Sequence, residues 1–259
     1  MTPAVLVSDS AGVRTLTLNR PERRNALTPE MQEEIISALH EAACSPSIRV
    51  VVLTGAGDAF CAGLDLSALQ AMEGQSPSEL EADVCRIARM FHVLYELPIP
   101  SIAAVNGHAI AGGTGLATLC DFTLAVPGAK FGYTEVKIGF VPALVSAYLT
   151  LQVGEKRARD LLLTGRLFSA EEARGLGLVT EVVAPEALSE RVQLLIATLL
   201  SNSPSALRAT KMLLAGSNQH WLRSALETAM VSNAAVRKTP DFREGVSAFL
   251  QKRPPVWSD

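Results

Sequence analysis

The chain has 259 residues, 48% of them hydrophobic, and a formal net charge of −3. That length suits one large domain, or one domain with a helical appendage, and allows a sizeable buried core. The charge gives no reason to expect a nucleic-acid partner, which leaves a basic stripe. No apolar run reaches the roughly 18 residues of a membrane span, and nothing at the start reads as a signal peptide, so no membrane partner and a cytoplasmic setting are expected.

Val13 to Leu18 alternates as a strand does, and Asn19-Arg20-Pro21 ends it. Thr28-Pro29-Glu30 supplies an N-cap, a first-turn proline and an acidic residue for a helix to about Ala43. Val50-Val51-Val52-Leu53 is a buried strand closed by Gly55-Ala56-Gly57. A small-residue turn follows at Phe60-Cys61-Ala62-Gly63-Leu64-Asp65-Leu66, then an amphipathic helix over Glu79 to Leu97, stopped by Pro98 and Pro100. Ser101 to Val105 is a second buried strand. It runs into the glycine-rich turn Val105 to Leu116, and the apolar stretch Leu116 to Cys120 after it reads as a helix. Asp121 to Val126 is another strand. Strands alternate with helices up to about residue 130, the signature of parallel β-α units. Beyond Leu144 the pattern is mostly helical, with one short strand at Val179 to Val183. Helices are expected over Pro185–Asn202, Pro204–Ala215, His220–Arg237 and Pro240–Gln251. No internal repeat of useful strength is visible.

Cys44, Cys61, Cys85 and Cys120 lack metal-ligand spacing and sit in apolar stretches, so they read as small buried hydrophobes. His40, His92, His108 and His220 show no ligand spacing, and no metal site is expected.

The chemistry resides in the two turns and in one carboxylate. Backbone N–H groups at a glycine turn opening a helix stabilise negative charge. Two such turns place the N–H of Leu64 and of Gly112 in one pocket, where paired donors can hold an enolate oxygen. Glu135 follows Phe131-Gly132-Tyr133-Thr134 amid apolar residues. Desolvation raises such a carboxyl toward neutrality and makes it a usable acid and base. Each residue also has a structural reading. Glycine turns follow strands in most α/β domains, Glu135 could pair with Lys130 or Lys137 at the surface, and His108 could be a structural histidine of the turn. Asp65 is better read as an N-cap than as a catalyst. The basic cluster Arg20, Arg23 and Arg24 fits either solvation or a phosphate-bearing ligand.

Taken together the segments resemble the crotonase family of enoyl-CoA hydratases and isomerases over nearly the whole chain. The matching stretches are Asn19-Arg20-Pro21 with Asn25-Ala26-Leu27, Phe60 to Leu66, Ile102 to Gly107 with Gly112-Gly113, Phe131 to Glu135, Leu163-Thr164-Gly165, Gly175 to Val179 and Glu244 to Leu250. The resemblance implies an α/β fold, the crotonase-like β-β-α superhelix, with a C-terminal helical trimerisation region. Residues 1–195 would form the catalytic core and residues 196–259 the helical region, assembled as a homotrimer or a homohexamer. It implies an acyl-CoA thioester as partner, with coenzyme A carried by the substrate and no separate cofactor. The thioester oxygen would lie between the Leu64 and Gly112 N–H groups. Arg24, Ala26, Leu27 and Ala62 would meet the adenine and pantetheine portion, and Leu64, Asp65, Leu66 and Ser67 would line the acyl-proximal part.

One position departs from the family pattern. Hydratases of simple enoyl-CoA carry a second glutamate on the helix after the glycine turn, where this chain has Gly115. A lone carboxylate suffices to shuttle a proton between carbons, as in a Δ3,Δ2-enoyl-CoA isomerase. The run Lys137 to Ser146 looks instead like bacterial hydratases of branched, carboxylated glutaconyl-CoA, whose acyl group would bring its own carboxylate into space left at Gly115. The expectation is therefore a 2-enoyl-CoA hydratase, with the single-glutamate isomerase as the alternative. Against these stand a non-catalytic acyl-CoA or RNA-binding relative, which the intact Glu135 disfavours, and a serine peptidase, for which no Ser–His pair is suitably placed.

Overall fold

The computed structural model describes residues 3–72 and 74–258. The chain opens with a hairpin, β1 (Val5–Ser10) and β2 (Val13–Leu18), turned at Ala11 and Gly12, both with positive φ as a tight hairpin turn requires. Helix α1 (Pro29–Cys44) starts where Thr28 Oγ1 accepts the Met31 N–H. Then come β3 (Val50–Gly55), β4 (Ala59–Cys61), α2 (Leu66–Ala71) and α3 (Pro77–Tyr95). They are followed by β5 (Ser101–Val105), β6 (His108–Ile110), α4 (Gly112–Leu119), β7 (Phe122–Ala125) and β8 (Lys130–Gly132). A short 3-10 turn at Glu135–Ile138 leads to α5 (Ala143–Val153), α6 (Glu155–Thr164), β9 (Phe168–Ser169), α7 (Ala170–Gly175) and β10 (Glu181–Val182). The chain closes with α8 (Leu188–Ser201), α9 (Pro204–Val236) and α10 (Pro240–Leu250).

Two sheets result. The larger has the order β1-β2-β3-β5-β7-β10, parallel except for the antiparallel β1–β2 pair. The smaller has the order β4-β6-β8-β9. Each of β3, β5 and β7 passes directly into a strand of the second sheet, and each pair is followed by helical structure. The repeat that the residues do not display is thus present in the backbone, as a β-β-α unit used in succession. Side chains stitch the crossings between sheets. Asn106 Nδ2 donates to Gly55 O and Gly57 O, and Asn25 Nδ2 donates to Ala59 O and Ala56 O.

Several expectations change. β1 carries no strand signal in the sequence, because it is an edge strand with only Val5 buried and lacks an apolar period. Helix α3 begins at Pro77 rather than at Glu79, because Ser76 and Glu79 form a capping box ahead of it. The two helices expected over Pro204–Ala215 and His220–Arg237 are one helix, α9. Gly216-Ser217-Asn218 reads locally as a break. In the fold, Ser217 Oγ donates to Leu213 O and Asn218 Nδ2 to Tyr95 Oη, so the helix continues along α3 and α5. The boundary at 195/196 falls inside α8, and Leu222 and Ala229 of α9 belong to the same core as the sheets. The last third therefore continues the core instead of standing beside it. Cys61 and Cys120 are buried as expected, whereas Cys44 and Cys85 are exposed.

Candidate active site

Strands β4, β6 and β8 are neighbours running parallel, so their C-terminal ends lie side by side. The chain leaves each end into a functional turn: Ala62-Gly63-Leu64 after β4, Ala111-Gly112 after β6, and Tyr133-Thr134-Glu135 after β8. Ligand sites at the carboxyl ends of parallel strands follow from this geometry, since the turns there are free to vary while the strands hold them in place.

The first two turns touch. Gly63 has φ +87°, and a Cβ on it would lie 2.9 Å from Ala111 Cβ and 3.3 Å from Gly112 N. Only glycine allows both this backbone and this approach. Across the contact, Ala111 caps α4 with φ 52° and ψ −125°, a strained conformation for a residue with a side chain. It is held there because Ala111 N donates to Gly132 O at 2.6 Å and Thr114 Oγ1 donates to Ala109 O at 2.7 Å. The strain leaves Gly112 N at the first turn of α4, where helical N–H groups lack acceptors. The Leu64 N–H is free for another reason. Leu27 N donates to Gly63 O and Asp65 N to Leu27 O, a parallel bridge that skips the Leu64 N–H. Among the described residues neither the Leu64 nor the Gly112 N–H has a protein acceptor.

The third turn carries Glu135. α4 fixes its approach: Gly132 N donates to Thr114 Oγ1 at 3.1 Å, and buried Tyr133 meets Thr118 Oγ1 at 3.4 Å. Glu135 is 8% exposed, and it makes no ion pair among the described residues, so the surface pairing with Lys130 or Lys137 does not occur. Its Oε2 is buried without a hydrogen-bond partner among the described residues. Burial pushes the carboxyl up to about 7, its own backbone N–H offsetting a part.

Ala62, Leu64, Leu66, Gly112 and Glu135 line one cavity of about 140 Å³. Its other walls are mostly apolar and include Phe91, Phe140, Val145 and Phe249. The remaining expected site residues lie outside this lining. Asp65 is the N-cap of α2: its Oδ1 accepts the Ser67 and Ala68 N–H groups, and its Oδ2 pairs with Arg20 at 3.0 Å. Leu27 is 1% exposed and acts through its backbone. Arg24 and Ser67 are exposed, Ala26 is half-buried, and the Arg24 carbonyl accepts the Ala62 N–H at 2.9 Å. His108 is exposed, and its Nδ1 accepts the Lys130 N–H.

Gly115 leaves no space for a substrate carboxylate. A Cβ there would lie 2.6 Å from Val145 Cγ1 and 3.1 Å from Phe91 Cε1. The place of a second glutamate is an apolar wall built from α5 and α3.

Sequence reasoning missed Val145, Phe249 and Asn233, which reach the cavity from α5, α10 and α9. Asn233 had a signal. The buried stripe Leu222, Ala229, Asn233, Arg237 follows helical spacing, and its last two members are polar.

Two N–H groups without protein acceptors and a buried carboxyl whose Oε2 has no partner share one mostly apolar chamber among the described residues, an arrangement chemically suited to proton transfer next to a carbonyl. The comparisons agree with that class. The family model described as "Enoyl-CoA hydratase/isomerase" matches residues 8–259. A Thermus thermophilus protein named "Putative enoyl-CoA hydratase" is 46% identical, covering 94% of this chain and 96% of that one. The (E)-benzylidenesuccinyl-CoA hydratase of Thauera aromatica is 34% identical, covering 98% of each chain. The crystal structure of an enoyl-CoA hydratase from Mycobacterium avium subsp. paratuberculosis K-10 superposes with a TM-score of 0.88 at 32% identity, covering 99% of each chain. The chain belongs to the enoyl-CoA hydratase/isomerase family and has the crotonase fold.

Proposed function

We propose that the protein is a 2-enoyl-CoA hydratase acting on a branched, methylglutaconyl-like acyl group, with Glu135 as its acid and base. The observation that carries this reading is the partner-free Glu135 Oε2 in the same chamber as the unpaired Leu64 and Gly112 N–H groups. In the hydration direction the Glu135 carboxylate takes a proton from water as the water oxygen bonds to C3. The π electrons shift through C2 to the thioester oxygen. The resulting enolate oxygen accepts from Leu64 N–H and Gly112 N–H, a stabilisation of about 3–4 kcal/mol per donor. Glu135 then delivers its proton to C2. A carboxyl titrating at about 7 serves both halves, since neither ionisation state is costly near neutrality.

Arg24, Ala26 and Ser67, on the solvent side of these turns, are assigned to the coenzyme A portion. Leu27, Ala62, Asp65 and Leu66 shape the turn that presents the Leu64 N–H. The exposed apolar residues Met212, Leu213, Leu214 and Trp221 of α9 are assigned to subunit contacts in a trimer or a dimer of trimers.

A second reading, Δ3,Δ2-enoyl-CoA isomerase, is favoured by one observation. Val145 and Phe91 fill the second carboxylate's place, and a single carboxyl can move a proton from C2 to C4 through a dienolate. The hydratase names of the Thermus and Thauera relatives favour hydration. Mass analysis of products from a panel of acyl-CoA thioesters decides: gain of one water supports the hydratase, and a shifted double bond at unchanged mass overturns it in favour of the isomerase.

A further inference from the structure

Among the described residues, the cavity lining has polar side-chain atoms only at Thr134, Glu135 and Asn233. Asn233 is 4% exposed and comes from α9, far in sequence from the three turns. Its orientation is fixed. Asn233 Oδ1 accepts from Arg237 Nε at 3.0 Å, and Arg237 Nη1 donates to Asp83 Oδ2 at 2.6 Å. Both ends of that ion pair are buried, with side chains 3% and 4% exposed. An arginine nitrogen can only donate, so the amide must turn its oxygen to Arg237 and its NH2 elsewhere. Among the described residues Nδ2 has no protein acceptor. The side chain that carries this free donor lines the substrate chamber, and a donor held in a mostly apolar chamber gains from an acceptor brought by a ligand.

We propose that Asn233 determines substrate choice by donating from Nδ2 to an oxygen carried by the acyl group itself, separate from the thioester oxygen. The site thereby prefers an acyl chain bearing a carboxylate or ketone to a hydrocarbon chain of the same shape. This rests on the acyl-CoA reading above and gives a substrate oxygen the partner that the filled Gly115 position does not provide. Asp83 and Arg237 are positioning residues for the amide. A hydrocarbon in its place would leave the donor unpaired, and such sites discriminate strongly against ligands lacking the acceptor.

The test is equilibrium binding of saturated acyl-CoA thioesters of one skeleton, ending in a carboxylate, a methyl ketone or an isopropyl group. Saturated thioesters cannot be hydrated or isomerised, so the outcome is independent of which reaction the enzyme performs; mass analysis of products judges that separately. Wild type should bind the carboxylate and ketone at least tenfold tighter than the isopropyl compound. The two oxygen-bearing arms separate a charged acceptor from a neutral one. Asn233→Leu should abolish the preference. Asn233→Asp keeps an oxygen for Arg237 and so preserves the buried network, but it should reverse the preference, most strongly for the carboxylate. Equal binding of all three by wild type would overturn the proposal, as would a preference that persists in Asn233→Asp. A loss of turnover with the binding preference intact would assign Asn233 to holding water instead, and would also overturn it.

Discussion

Glu135→Gln separates the chemical role of this carboxyl from its structural cost. In the unfolded chain the group titrates at its ordinary 4.5, and in the folded chain at about 7. Below pH 4.5 it is neutral in both states and costs nothing. Between 4.5 and 7 the unfolded state ionises first, so folding stability falls as pH rises. Above 7 the full penalty is present, about 3 kcal/mol at roughly 1.4 kcal/mol per pH unit. Glutamine does not ionise and escapes this. Its amide NH2 adds a cost of its own, but that cost does not vary with pH. About 2.5 kcal/mol of this penalty develops between pH 5 and pH 8, so over that range the thermal midpoint of Glu135→Gln should rise relative to wild type by roughly 5–10 °C for a chain of this size. Calorimetry at fixed protein concentration across that range measures it. Midpoints that stay parallel with pH would refute a desolvated Glu135. The same variant should lose about 10²–10⁴-fold in kcat. Wild-type kcat/KM for hydration should climb with pH through about 7, as the carboxylate forms.

The other predictions concern the surrounding frame. Gly112→Pro deletes one of the two donor N–H groups and should cost about 10²–10³-fold in kcat; circular dichroism checks the fold, and normal activity in a folded variant removes Gly112 from this role. Asp83→Asn leaves the buried Arg237 cation unpaired and should lower stability by about 3–5 kcal/mol, read by urea denaturation; an unchanged midpoint would show that the pair does not fasten α9 to α3. Light scattering at micromolar concentration should find a trimer or a dimer of trimers, and a stable, active monomer would contradict the assignment of the exposed α9 residues.

The parts of the site that were legible in the sequence depend on the backbone or on local burial. Gly63 and Gly113 stand where a Cβ would collide with a neighbouring residue, so glycine at those positions marks the close approach of the two turns, and Glu135 stands out as a charge in an apolar run. Asp65 is recognisable as an N-cap in the sequence because a cap is a contact within its own turn. What stayed hidden depends on distant partners. β1 shows no apolar period because the solvent takes all but one of its side chains. Helix α9 is continuous because α3 and α5 support it through a locally poor stretch. The functional interest of Asn233 emerges only when Arg237, Asp83 and the chamber are seen together.

Gly115 shows the limit most clearly. In the sequence it is a missing carboxylate, and a missing side chain suggests room. In the fold the room is taken by Val145 and Phe91, from helices on either side of α4 in the chain. Restoring the glutamate alone therefore meets a steric barrier before any chemistry is tested. Gly115→Glu should destabilise the protein by about 1–3 kcal/mol through overpacking, with a further penalty for an unpaired buried carboxyl, and should not gain crotonyl-CoA hydration. Gly115→Glu combined with Val145→Ala removes the nearest obstruction, and this pair should recover stability and raise kcat/KM for crotonyl-CoA above wild type. If the single variant is as stable as wild type and gains the activity, the Val145 wall is not the barrier. If the stable double variant gains nothing, then the second carboxylate is not what distinguishes this site from that of a hydratase of simple enoyl-CoA.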